Sequence, residues 1–136
     1  MKPCRDCQAN VSELALACPK CGAPYPARDK WDGWGFEYKS GITITGLPLV
    51  HISFKYAPGR GPVPAKGIIA IGQFAIGIVS ISQFGIGVVS VSQFSIGGFV
   101  LAQFALAYSL IAQMGLFFGQ GHGQLVRNVL DLIRQL

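Results

Sequence analysis

The chain has 136 residues, enough for one domain or two small ones, with 51% apolar and 12% charged side chains and a net charge of +5. The basic residues are scattered and form no dense run, which excludes a nucleic-acid-binding tail, and the acidic residues are too few and dispersed for paired-carboxylate chemistry. Charge is also segregated: fourteen of the seventeen charged residues lie between Lys2 and Lys66, and residues 67–126 carry none.

Composition divides the chain into four segments: 1–27, 28–66, 67–119 and 120–136. The first opens on Met1-Lys-Pro-Cys without the apolar core of a secretory signal, so a cytoplasmic, reducing setting is expected for the cysteines. Cys4 and Cys7 form one CxxC pair and Cys18 and Cys21 another, ten residues apart. Two such pairs supply four thiolates that close a tetrahedral shell around Zn²⁺, and four thiolates leave no position open for a reactive water. Zinc here is expected to fold a segment too small to own a core. The stretch Cys18-Pro-Lys-Cys-Gly-Ala resembles the second knuckle of small bacterial zinc-ribbon modules, which are often fused to the N-terminus of membrane or scaffold proteins. The first knuckle departs from that pattern by carrying Gln8 where Gly is usual.

Segment 28–66 reads as a β-rich connector that caps the third segment. Residues 36–40, 42–45 and 49–56 are rich in β-branched and aromatic types and are punctuated by Gly41, Gly46 and Pro48, so short strands are predicted, with a loop over 57–64. His51 falls in an alternating strand and His122 in a glycine-rich stretch, and neither has a catalytic partner visible in sequence.

Segment 67–119 carries a ten-residue beat: Gln73-Phe74, Gln83-Phe84, Gln93-Phe94, Gln103-Phe104 and Gln113-Met114. A fixed short period predicts stacked repeats. Around a helix the same pattern would spiral and make no constant face, whereas as strands it gives two alternating stretches per repeat, with small residues at the corners. The prediction is a mainly β chain with a β-solenoid of ten-residue rungs, or of twenty-residue coils like those of pentapeptide-repeat proteins. Large side chains such as Phe84, Ile86, Val89 and Val91 are expected inside, and the glutamines are expected to form an amide ladder. Segment 120–136 is read as a hinge, residues 119–123, followed by an amphipathic helix from Leu125 to Leu136.

Two functional classes stay open. The first is a non-enzymatic structural protein, a homo-oligomer or filament that self-associates through the uncharged solenoid. In that reading the zinc ribbon is an adaptor for a protein partner, and nucleic acid is not expected as a ligand. The alternative is an inner-membrane protein with a cytoplasmic N-terminus and a transmembrane helical hairpin over 67–119, since an uncharged stretch of that length suffices for two passes.

Overall fold

The computed structural model describes residues 1–135 and divides into two compact units, Met1–Gly33 and the chain from Trp34 onward. In the first unit, β1 (Lys2–Pro3) pairs antiparallel with β2 (Asn10–Val11), and Ala17 bridges Pro24. The small core beneath them is Cys4, Val11, Cys18 and Ala23.

The second unit starts with β3 (Trp34–Lys39), which pairs antiparallel with β6 (Val50–Ala57). Between them β4 (Thr43–Ile44) and β5 (Leu47–Pro48) form a hairpin around Thr45-Gly46. Both turn residues have positive φ, the backbone that a two-residue hairpin turn requires. A short β7 (Gly61–Pro62) folds back on β6.

One continuous extended run, β8 (Ala65–Asn128), makes up the rest, and it coils on itself. Its period is ten residues. Phe74, Phe84, Phe94 and Phe104 stack with ring centroids 5.0, 5.1 and 5.0 Å apart and planes within 10°, so residue i lies over residue i+10 at the spacing of adjacent strands. A twenty-residue coil would stack i on i+20, and the helical hairpin has no counterpart, because residues 67–119 are strand throughout. Among the described residues no helix is long and apolar enough to cross a membrane. The first rung is not an open edge: β6 pairs with it in parallel, Val50 beside Ile69 through Ser53 beside Gly72.

The alternation is as expected, but its phase is inverted. Buried positions recur every five residues and are small: Ala65, Ala70, Ala75, Ser80, Gly85, Ser90 and Ser95, then Val100 and Leu110. The large side chains expected inside point outward instead, with Phe84 45%, Ile86 52%, Val89 42% and Val91 45% exposed. The cause is the perimeter. Ten extended residues span only about 33 Å, and holding two walls the usual ~10 Å apart would use most of that length in the two crossings. The walls therefore lie close, each sends one small side chain inward per rung, and its neighbours on either side must face out. Leu110 has a glycine across from it, where a Cβ on Gly115 would lie 3.0 Å from Leu110 Cδ2, and Val100 Cγ2 fills the space beside Gly97, where a Cβ would lie 3.2 Å away.

Three further expectations change. The glycine-rich stretch is no hinge but part of β8, where Gly123 packs against the Ala112 carbonyl with no room for a side chain and Gly119 lies tightly against the ring and carbonyl of Tyr108. The helix is shorter than its apolar stripe: α1 spans Val129–Arg134, capped by Asn128 Oδ1, which accepts from Leu130 N–H at 2.9 Å, and Leu125 and Val126 belong to the strand. Leu136, the last residue of that stripe, lies outside the described residues. Finally, among the described residues the glutamines do not bond one another, and Gln73 Oε1 accepts from Tyr56 Oη at 2.6 Å.

Candidate metal centre

The two CxxC turns are built alike. In the first, Cys4 N–H donates to Ala9 O at 2.8 Å and Gln8 N–H to Cys4 O at 3.0 Å. In the second, Cys18 N–H donates to Ala23 O at 2.9 Å and Gly22 N–H to Cys18 O at 2.8 Å. Each turn closes through a residue with positive φ, 61° at Gln8 and 76° at Gly22, so Gln8 adopts the conformation for which Gly is usual.

These turns bring all four thiols together. The Sγ atoms of Cys4, Cys7, Cys18 and Cys21 lie within 4.8 Å of one another, with Cys4 to Cys21 at 3.7 Å and Cys7 to Cys18 at 3.6 Å. No pair is a disulfide. A tetrahedron of sulfurs with metal–sulfur bonds of ~2.3 Å has edges of about 3.8 Å, so the arrangement fits a tetrahedral thiolate shell before any metal is placed in it.

Backbone donors prepare the site for anionic sulfur. The Cys18 thiol is pulled down to about 6, first by the Cys21 N–H and then by that of Lys20. Cys4 is also lowered, chiefly by the Cys7 N–H, and Asp6 N–H lies 3.4 Å from its sulfur. At Cys21 the Ala23 N–H pulls downward, but the neighbouring thiols and burial outweigh it and push the group up to about 12. The lowered Cys4 and Cys18 thiols favour the anionic sulfur that a divalent cation takes as a ligand.

The second unit contains a polar cluster that sequence reasoning missed. His51, 4% exposed, accepts from Lys66 N–H at Nδ1 (2.8 Å), so its Nε2–H donates to Glu37 Oε1 (3.2 Å). Glu37 also accepts from Lys39 Nζ at 2.9 Å and Lys55 Nζ at 3.1 Å. These lysines, with His51, hold its carboxyl down at about 2, with the Lys39 hydrogen bond the largest cause. Both imidazole nitrogens are engaged in bonds that tie β3 and β6 to the start of β8, which makes the cluster a clamp. The β3–β6 register, with Lys39 opposite His51 and Glu37 opposite Ser53, was the signal that would have found it. His122 is exposed on the last rung, far in sequence from any acidic partner but Asp131.

Comparison of the chain with protein-family models, with curated proteins and with solved structures finds no match.

Proposed function

We propose that this chain is a non-enzymatic structural protein: an apolar β-solenoid that associates with further copies of itself and displays a Zn²⁺-bound N-terminal module as an adaptor for a protein partner. The observation that carries the reading is the inverted phase of the solenoid. Phe74, Phe84, Phe94 and Phe104 form one outward column, and Ile76, Ile86, Ile96 and Leu106 form the next. Between the columns runs a groove of about 680 Å³ floored by Ala75, Gly85, Ser95 and Ala105. Its ridges repeat every 5.0–5.1 Å, and a second solenoid offers ridges of the same period. The eight column residues expose on the order of 700 Å² of largely apolar surface, close to the ~800 Å² per partner of a standard interface.

A catalytic role has little support in the site chemistry. A four-thiolate shell is closed to water, and the one buried histidine has both nitrogens committed.

Sedimentation of the full chain, in buffer or in the detergent that keeps it dispersed, tests the association. The wild type should sediment as an oligomer, and Phe84→Lys with Phe94→Lys should dissociate it with the β spectrum retained. A monomeric wild type overturns this reading. Elemental analysis should find one zinc per chain.

A further inference from the structure

We infer that the solenoid crosses a lipid bilayer with its coil axis along the membrane normal, hydrocarbon covering most of its exterior. The inference rests on the reading of that exterior as a surface covered in use, and it names what covers it.

Height is the first argument. Residues 67–126 contain no Asp, Glu, Lys or Arg, and β8 continues through all of them. At ten residues per rung and the 5.0 Å spacing of the Phe ladder, this uncharged belt is about 30 Å tall, and its apolar part, residues 67–119 before the exposed Gln120, His122 and Gln124, is about 26 Å, the height of the outward apolar band that β-structured membrane proteins present to lipid. Read as helix, the same sequence spoke only of hydropathy, whereas as a coil its length along the axis matches the membrane.

The second argument is direction. An interface between two copies needs one apolar face, yet here both walls and a corner are apolar. One wall carries the Phe and Ile columns, the other Val89, Val91, Phe99 and Leu101, and the corner Ile78, Val88, Tyr108 and Phe118, all at least 38% exposed. Small and partly polar inside, large and apolar outside, is the reverse of what water selects and suits a surrounding hydrocarbon.

The ends form the third argument. Glu37, Lys39, Lys55 and Lys66 gather where the first rung begins, and Arg127, Asp131 and Arg134 come after the last. Exposed Trp34, Tyr38 and Tyr56 lie on the β3–β6 sheet beside the first rung, the residue types that settle at a membrane–water boundary. Lipid further demands that backbone polar groups be satisfied internally. Successive rungs bond one another along the axis, and β6 covers the first edge. The Gln83, Gln93, Gln103 and Gln113 edge is a polar column within the belt, and in lipid such a column favours contact with another copy, while exposed Gln120, His122 and Gln124 mark the last rung as the boundary with water.

The test is a lysine scan down one column, Ile76, Ile86, Ile96, Leu106 and Leu116 each changed to Lys in the full chain, reconstituted into phosphatidylcholine vesicles and floated on a density gradient. The wild type should float and resist alkaline carbonate. The inserted fraction should fall most at Ile96, mid-belt, by about tenfold or more, and by no more than about fivefold at Ile76 and Leu116, because the burial cost of a charge peaks at the bilayer midplane. With a tag on each terminus, protease outside intact vesicles should remove one tag from each chain and spare the other. Loss of both tags, extraction by carbonate, or equal sensitivity at all five positions overturns the inference. Oligomers that form in buffer and do not float would overturn it while leaving the scaffold reading intact, whereas inserted monomers would uphold it and overturn self-association.

Discussion

Gln8 and Gly22 hold equivalent positions, each four residues after the first cysteine of its pair and each with positive φ. A residue with a Cβ pays about 1–2 kcal/mol for that conformation, while glycine gives back roughly 0.5–1 kcal/mol through its freer unfolded chain. Gln8→Gly should therefore tighten zinc by a few-fold in competition with a chromophoric chelator. Gly22→Ala, where a Cβ meets nothing within 4 Å, should weaken it through the backbone alone. Tighter binding by Gly22→Ala would remove the conformational argument. In the other unit, the Glu37 carboxyl is held at about 2 against an ordinary 4.5. A carboxylate depressed in this way stabilises the fold fully above about pH 5, and its contribution is lost as pH falls from there toward 2. Glu37→Gln should lower stability near neutral pH by roughly 2–3 kcal/mol, and the gap to wild type should close through that acid window in denaturant titrations. A gap independent of pH would mean that the ion cluster is not its source.

Within β8 the inward line is set by room and the outward line by what is left over, so substitutions should rank by position and not by hydrophobicity. Ser90 is 1% exposed and accepts from Ser80 Oγ at 2.8 Å, so Ser90→Leu forces volume into a closed interior and should cost about 3 kcal/mol. Ile86→Thr keeps a β-branched side chain at an exposed site and should change the stability of the isolated solenoid by less than about 1 kcal/mol. Chemical denaturation of both in one detergent measures the order, and the reverse order would restore the phase expected from hydropathy. That phase was the part of the element least legible in sequence. The Gln-Phe beat announced the ten-residue stack, and alternation announced strands, but hydrophobicity alone assigns large residues to the inside and says nothing of how little space a ten-residue loop encloses. Gly119 and Gly123 were misread for a related reason: glycine serves close backbone approach as well as flexibility, and only the coil reveals which. The clustering of the four cysteines was legible because each CxxC turn is local, whereas the Glu37–His51 clamp depends on a strand register that spacing does not give.

At the scale of the molecule, the two units have separate sources of stability. Residues 1–33 own a core of four small side chains, two of them cysteines of the candidate metal cluster, and a segment of this size ordinarily needs a metal or a crosslink to fold. From Trp34 onward, rung-on-rung bonding and the inner Ala/Ser columns continue without reference to the cysteines. Chelation, or Cys18→Ser, should therefore melt only the first unit. A broad-specificity protease should then trim the chain to a fragment beginning near Trp34, while the far-ultraviolet strand signal, which β8 dominates, persists. Restoring zinc to the chelated protein should return the N-terminal unit to protease resistance, and the Cys18→Ser protein should recover less well because its shell lacks one thiolate. Loss of the strand signal on chelation would show that the solenoid depends on the metal module, and the adaptor would then have to be regarded as part of the scaffold it was proposed to decorate.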